Sequence, residues 1–124
     1  MLSDFVKSAD WKTEKHVPAI ECAGSVNAGS PLAVTVTVGR EVAHPNTAEH
    51  HIAWIALHVV PDGAKASIEL ARCEFSAHGA NPAAATCSAV TVSVTLAASG
   101  TLYATAYCNI HGLWSSEKAV AVTA

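Results

Sequence analysis

The strictest constraint on this chain is a beat of two. In PLAVTVTVG, Leu32, Val34, Val36 and Val38 fall on one side of an extended backbone while Thr35 and Thr37 fall on the other, the pattern of a strand with one face in a core. AVTVSVTLA repeats it through Val90, Val92, Val94 and Leu96, and TLYATAYC through Leu102, Ala104, Ala106 and Cys108. IAWIALHVV is apolar on both faces, as a central strand is, and KAVAVTA reads as a terminal strand. Turn signals part these runs at NAGSP, PDGAK, HGANPA and AASG, where Gly, Pro and Asn supply the conformations that turns require. No stretch holds a helical apolar period. Short strands joined by turns, without alternating helices, predict an all-β fold, an immunoglobulin-like antiparallel β-sandwich of about seven strands.

Composition agrees with one core. The chain has 124 residues, 51% of them hydrophobic and 14% charged, so residues 1–124 are expected to form a single domain without linker or repeat. Seven basic residues (Lys7, Lys12, Lys15, Arg40, Lys65, Arg72, Lys118) are scattered under a net charge of −3. Nucleic acid is therefore not an expected partner. The opening MLSDFVKSADWKTEKH carries acids and no apolar core of a leader, and no window has the length of a membrane span. A soluble, cytoplasmic protein with no membrane partner is the expectation. In a reducing compartment Cys22, Cys73, Cys87 and Cys108 stay as thiols; Cys73 and Cys87 could pair only if oxidised.

Histidine is where the chemistry gathers. Seven are present, and four of them, His44, His50, His51 and His58, stand within residues 44–60. CNIHG sets Cys108 and His111 three apart before a glycine, so one tight loop can turn a thiolate and an imidazole toward a single ion of zinc, copper or iron. Pro45 and Asn46 mark a turn between His44 and His50. The adjacent His50 and His51 must point to opposite sides of an extended backbone, so only one of them can join the same site. His16, kept extended by Pro18, is a further candidate. His51, His58 and His78 read as ordinary solvated or hydrogen-bonded histidines.

EKHVP, HPNTAEHHI, FSAHG and YCNIHGLW, in this order and at these separations, resemble the superoxide reductases, specifically the one-iron neelaredoxin type related to desulfoferrodoxin. The resemblance runs from Trp11 to Val122. It implies a mononuclear iron held by the imidazoles of His16, His44, His50 and His111, with the Cys108 thiolate on the axis. It also implies that Glu14 is the sixth ligand of the ferric ion and that Lys15 lies above the open face. The implied activity is one-electron reduction of superoxide to hydrogen peroxide without dioxygen production. A rubredoxin-like electron donor and a homotetramer come with it. Only thirteen residues precede Glu14 and none is cysteine, so the family's N-terminal desulforedoxin-like domain is not expected. A cupredoxin-like electron carrier is the alternative; it calls for a trigonal copper site, often with an axial methionine, and the one methionine is Met1. A structural zinc site is normally closed with four ligands, which leaves a fifth donor surplus.

Overall fold

In the computed structural model, which describes residues 1–124, the period-two runs become strands of two facing sheets. Eight strands follow one short 3-10 turn at Leu2–Asp4: β1 (Pro18–Glu21), β2 (Ser25–Asn27), β3 (Leu32–Val38), β4 (Ile52–Pro61), β5 (Ile68–Glu74), β6 (Ala89–Val94), β7 (Gly100–Cys108) and β8 (Gly112–Thr123). One sheet has the order β1-β3-β6 and the other β2-β8-β7-β4-β5. This is the expected immunoglobulin-like sandwich.

Three details depart from the sequence reading. There are eight strands; the short β1 and β2 and the edge strand β5 carry no clean alternation, so periodicity alone does not announce them. β2 pairs in parallel with β8, Ser25 opposite Ala121, so the sheets are not wholly antiparallel. β8 also begins at Gly112, well before KAVAVTA, because the turn after Cys108 leads straight back along β7, Cys108 opposite Gly112.

The core lies between the inner faces. Val34 and Val36 of β3, Ile55 and Leu57 of β4, and Leu102, Ala104 and Ala106 of β7 are all at most 1% exposed. Cys108 is the last of the β7 row and is fully buried. The strand's pleat thus delivers a thiol to the end of the apolar core, where β7 stops and a loop begins. Beside it the β4–β7 register shifts between Ile52 and Trp54. A bulge of this kind bends a strand and re-aims its neighbours, here at the mouth of the segment carrying His50. Trp54 meets Tyr107 on the outer face with ring centroids 6.0 Å apart.

Truncating a fully buried side chain in the middle of β7 tests this account of the core. Leu102→Ala should lower unfolding free energy by about 2–5 kcal/mol, read from urea denaturation; a loss under about 1 kcal/mol would mean that Leu102 is not part of a close-packed interior.

Candidate metal centre

Three separate segments converge at one end of the sandwich. His16 arrives just ahead of β1, His44 and His50 from the irregular segment between β3 and β4, and Cys108 and His111 from the β7–β8 turn. That turn is short because Gly112 adopts φ +83, a left-handed conformation open to glycine at little cost. It folds the His111 N–H back onto the Cys108 sulfur at 3.4 Å. A backbone donor at this place stabilises a thiolate, the role expected of the residues after the cysteine.

The four imidazoles form a closed ring. Centroids are 4.9 Å apart for His16–His44, 4.8 Å for His44–His50, 5.0 Å for His50–His111 and 4.7 Å for His111–His16. Across the diagonal His16 and His50 stand 6.4 Å apart, so the arrangement is close to a square. Ligand atoms of His16, His50, Cys108 and His111 all lie within 4.8 Å of one another. His44 closes the ring as its fourth member. Sulfur and imidazole also meet directly, with Cys108 Sγ 3.7 Å from His111 Nδ1.

Which nitrogen faces inward follows from what holds the other. Glu14 Oε1 is 2.7 Å from His16 Nδ1, and a carboxylate can only accept, so Nδ1 carries the proton and Nε2 presents a lone pair. The same oxygen accepts from the His16 backbone N–H at 3.1 Å. His44 Nδ1 donates to Pro45 O at 2.6 Å, which again turns Nε2 inward. Nε2 of His44 and Nε2 of His50 are buried without any hydrogen-bond partner. Buried nitrogens left in this way are costly unless a cation meets them.

Distances fit a metal as well. Imidazole–metal bonds of about 2.0–2.1 Å at right angles put neighbouring nitrogens about 3 Å apart; His16 Nε2 and His111 Nδ1 are 3.1 Å apart. Four imidazoles in a near-square with one cysteine sulfur beside them match iron better than the closed tetrahedron of structural zinc. The trigonal copper alternative fails on the same count, and Met1 is 92% exposed at the chain's start.

Glu14 and Lys15 occupy different places in this arrangement. Glu14 sits outside the donor cluster, and the hydrogen bond from His16 holds its carboxyl below the usual carboxylate range. Lys15 is half-buried, and its charge is among those disfavouring protonation of both His44 and His50. Of the adjacent pair, His50 joins the cluster and His51 turns away, its Nδ1 on Thr47 O; the two stand at the end of a bend at residues 47–50, not on the extended backbone that the sequence suggests. His58 lies 3.6 Å from Glu69 on the outer face. All four cysteines are free.

Two supports were not evident in the sequence. Trp114 stacks on His16 with centroids 4.8 Å apart and donates its indole N–H to His111 O at 3.3 Å. Asn109 ties the two ligand loops together, accepting from His51 N at 2.8 Å and donating to Glu49 O at 2.9 Å. Tryptophan at three residues past a candidate ligand was the one available signal for the first; an asparagine in a turn is too common to single out.

A β-sandwich with a histidine–cysteine metal centre at one end is the class of protein that fold and site define. The chain belongs to the desulfoferrodoxin family, whose model matches residues 8–117. It is 48% identical to neelaredoxin from Megalodesulfovibrio gigas, over 98% of each chain. It is 45% identical to a superoxide reductase from Pyrococcus horikoshii, over 94% of this chain and 96% of the relative. Among solved structures, reduced superoxide reductase (neelaredoxin) from Archaeoglobus fulgidus matches with a TM-score of 0.86 at 43% identity, covering 94% of this chain and 98% of its own. A Thermotoga maritima chain matches with a TM-score of 0.97 at 46% identity, covering 100% of this chain and 98% of its own.

Two measurements probe the site's construction. A Cβ on Gly39 (φ +85) would lie 2.8 Å from His44 N, so Gly39→Ala should displace His44 and weaken metal binding at least tenfold, on the order of the loss seen when a ligand's support is removed; unchanged affinity in chelator competition would show that the loop absorbs the clash. Burial, foremost, pushes His44 down from 6.5 to about 4. Because the unfolded chain then binds the proton more readily, this contribution to stability is present above pH 6.5 and is lost as pH falls toward 4. The metal-free protein should therefore lose urea resistance across that window, and His44→Gln should lose less; equal slopes would overturn the assignment.

Proposed function

We propose that the chain is a superoxide reductase, an oxidoreductase that converts superoxide, two protons and one electron into hydrogen peroxide without releasing dioxygen. The observation that carries this reading is the near-square of imidazoles beside the buried Cys108 sulfur, in a chain of the desulfoferrodoxin family. His16, His44, His50, His111 and Cys108 are the proposed ligands of one iron per chain. Bound there, iron would supply a one-electron couple and an open position for a small anion.

The residues around it have separable tasks. Cys108, held in the core with the His111 N–H on its sulfur, supplies the negative charge that favours the ferric state. Glu14 fixes the tautomer and orientation of His16; it is also the proposed sixth ligand of the ferric ion, which requires it to leave His16. Lys15 is the proposed capture residue. With a net charge of −3 over the whole chain, attraction of an anion must come from local charge, and an ammonium at the site provides it. Water reaching the half-buried Lys15 would deliver the protons that peroxide needs.

We further propose one domain over residues 1–124, a rubredoxin-like iron protein as electron donor, a homotetramer, and a cytoplasmic location. No helix is long and apolar enough to cross a membrane.

Pulse-generated superoxide tests the reading directly. The reduced, iron-loaded protein should form one peroxide per ferrous iron oxidised to ferric, and Lys15→Ala should cut the second-order rate constant several-fold and flatten its decline with ionic strength. If Lys15→Ala reacted at the wild-type rate at every salt concentration, capture by Lys15 would be wrong; if iron-loaded protein left superoxide untouched, the function would be.

A further inference from the structure

We propose that His78, which is not a ligand, is a positioning residue for the metal ligands His44 and His50, acting through Asn46 and His51. The inference rests on the ligand reading above. The segment that carries His44 and His50 has no ladder of its own and buries little: Asn46, Thr47, Ala48 and Glu49 are exposed. Its internal bonds are all short-range: Thr47 with His50, His44 Nδ1 with Pro45 O, and His51 Nδ1 with Thr47 O. A segment so thinly packed takes its shape from external ties.

His78 supplies two of those ties from one ring and is anchored by a third contact. Its Nδ1 is 3.0 Å from Asn46 Oδ1 and its Nε2 2.9 Å from Phe75 O. Its face lies on His51, centroids 3.7 Å apart and planes 7° from parallel. The Asn46 amide is oriented by its own donation to Thr86 O at 3.0 Å, so its oxygen is the atom turned to His78. Asn46 Oδ1 and Phe75 O are both acceptors, so the ring nitrogen that carries the proton donates to one of them while the other nitrogen stays in contact with the second. Polar atoms at opposite ends of a flat stacking surface are beyond Gln, Asn or Phe.

The platform beneath His78 is itself fixed. Phe75, 6% exposed, donates its N–H to Ala53 O of β4 at 2.9 Å, and Thr86 N bonds to Ala77 O at 2.8 Å beside the His78–Ala85 bridge. From there the stack passes to His51, whose Nδ1 donates to Thr47 O at 2.9 Å. Thr47 O also accepts from His50 N at 3.2 Å. His78 thus reaches both ends of the segment, two residues after His44 and one after His50.

The test compares wild type, His78→Phe, which keeps the flat face and removes both ring nitrogens, and His78→Gln, which keeps one polar end without the flat ring. Iron affinity by chelator competition and the position of the thiolate-to-iron visible band are read on the iron-loaded full chain; amide exchange is read on the metal-free chain. His78→Phe should loosen iron about tenfold, shift the band, and speed exchange at the His50 and His51 amides while Ile55 and Leu102 stay protected; His78→Gln should fall between. Unchanged affinity, band and exchange overturn the inference, as does uniformly faster exchange, which marks a general stabiliser. Should His78→Phe not fold, His78→Gln decides by the same readouts. If wild type itself takes up no iron, the ligand reading fails, while the exchange comparison still judges the brace.

Discussion

Two nitrogens without partners organise this molecule. Nε2 of His44 and Nε2 of His50 are buried and face no protein donor, a state whose cost is about 1–3 kcal/mol per group unless something meets it. Neutral imidazoles offer lone pairs, which a metal cation at this place would meet. The lone pair on His16 Nε2, set by Glu14 on the opposite nitrogen, points the same way. The metal-free fold therefore holds its ligands against their own hydration preference, and metal binding becomes folding energy.

The sandwich supplies what a loop cluster alone could not. Cys108 belongs to the core by burial and to the site by chemistry, because the inward row of β7 ends on it. Around this rigid point the other donors are set by ties between segments distant in sequence. Asn109 holds the 44–51 segment to the β7–β8 turn, and Trp114 both supports the His16 ring and bonds to His111 O. The N-terminal stretch is drawn in as well: Lys7 pairs with β8 beside Trp114, and its ammonium lies 5.5 Å from the indole centroid. These ties from Trp114 on β8 and Asn109 in the β7–β8 turn leave the donor side chains fewer degrees of freedom to lose on metal binding.

Much of this was legible in the residues. Period-two alternation in β3, β6 and β7 identified an all-β sandwich because a pleated strand with one wet face has no other pattern open to it. β5 stayed hidden: at a sheet edge, both faces of Ile68–Glu74 are partly wet, and its residues show no regular alternation. The parallel β2–β8 pairing was hidden for another reason, since three residues carry too little pattern to specify a partner or direction. At the site, the five proposed ligands were named from sequence, including the choice of a single member of the His50–His51 pair. His78 was passed over as ordinary, since nothing local distinguishes a histidine that braces a loop from one that is merely solvated.

By itself, then, the sequence determined the donor types, the strand alternation that buries Cys108, and the turn that puts His111 beside it, all consequences of local stereochemistry over a few residues. The tertiary structure decided the rest: which nitrogen of each imidazole faces inward, that Glu14 rests on His16, and that Trp114, Asn109 and His78 support the ligand segments. These depend on groups separated by up to nearly a hundred positions, such as His16 and His111. Only the closure of two sheets over one core brings them within hydrogen-bonding reach.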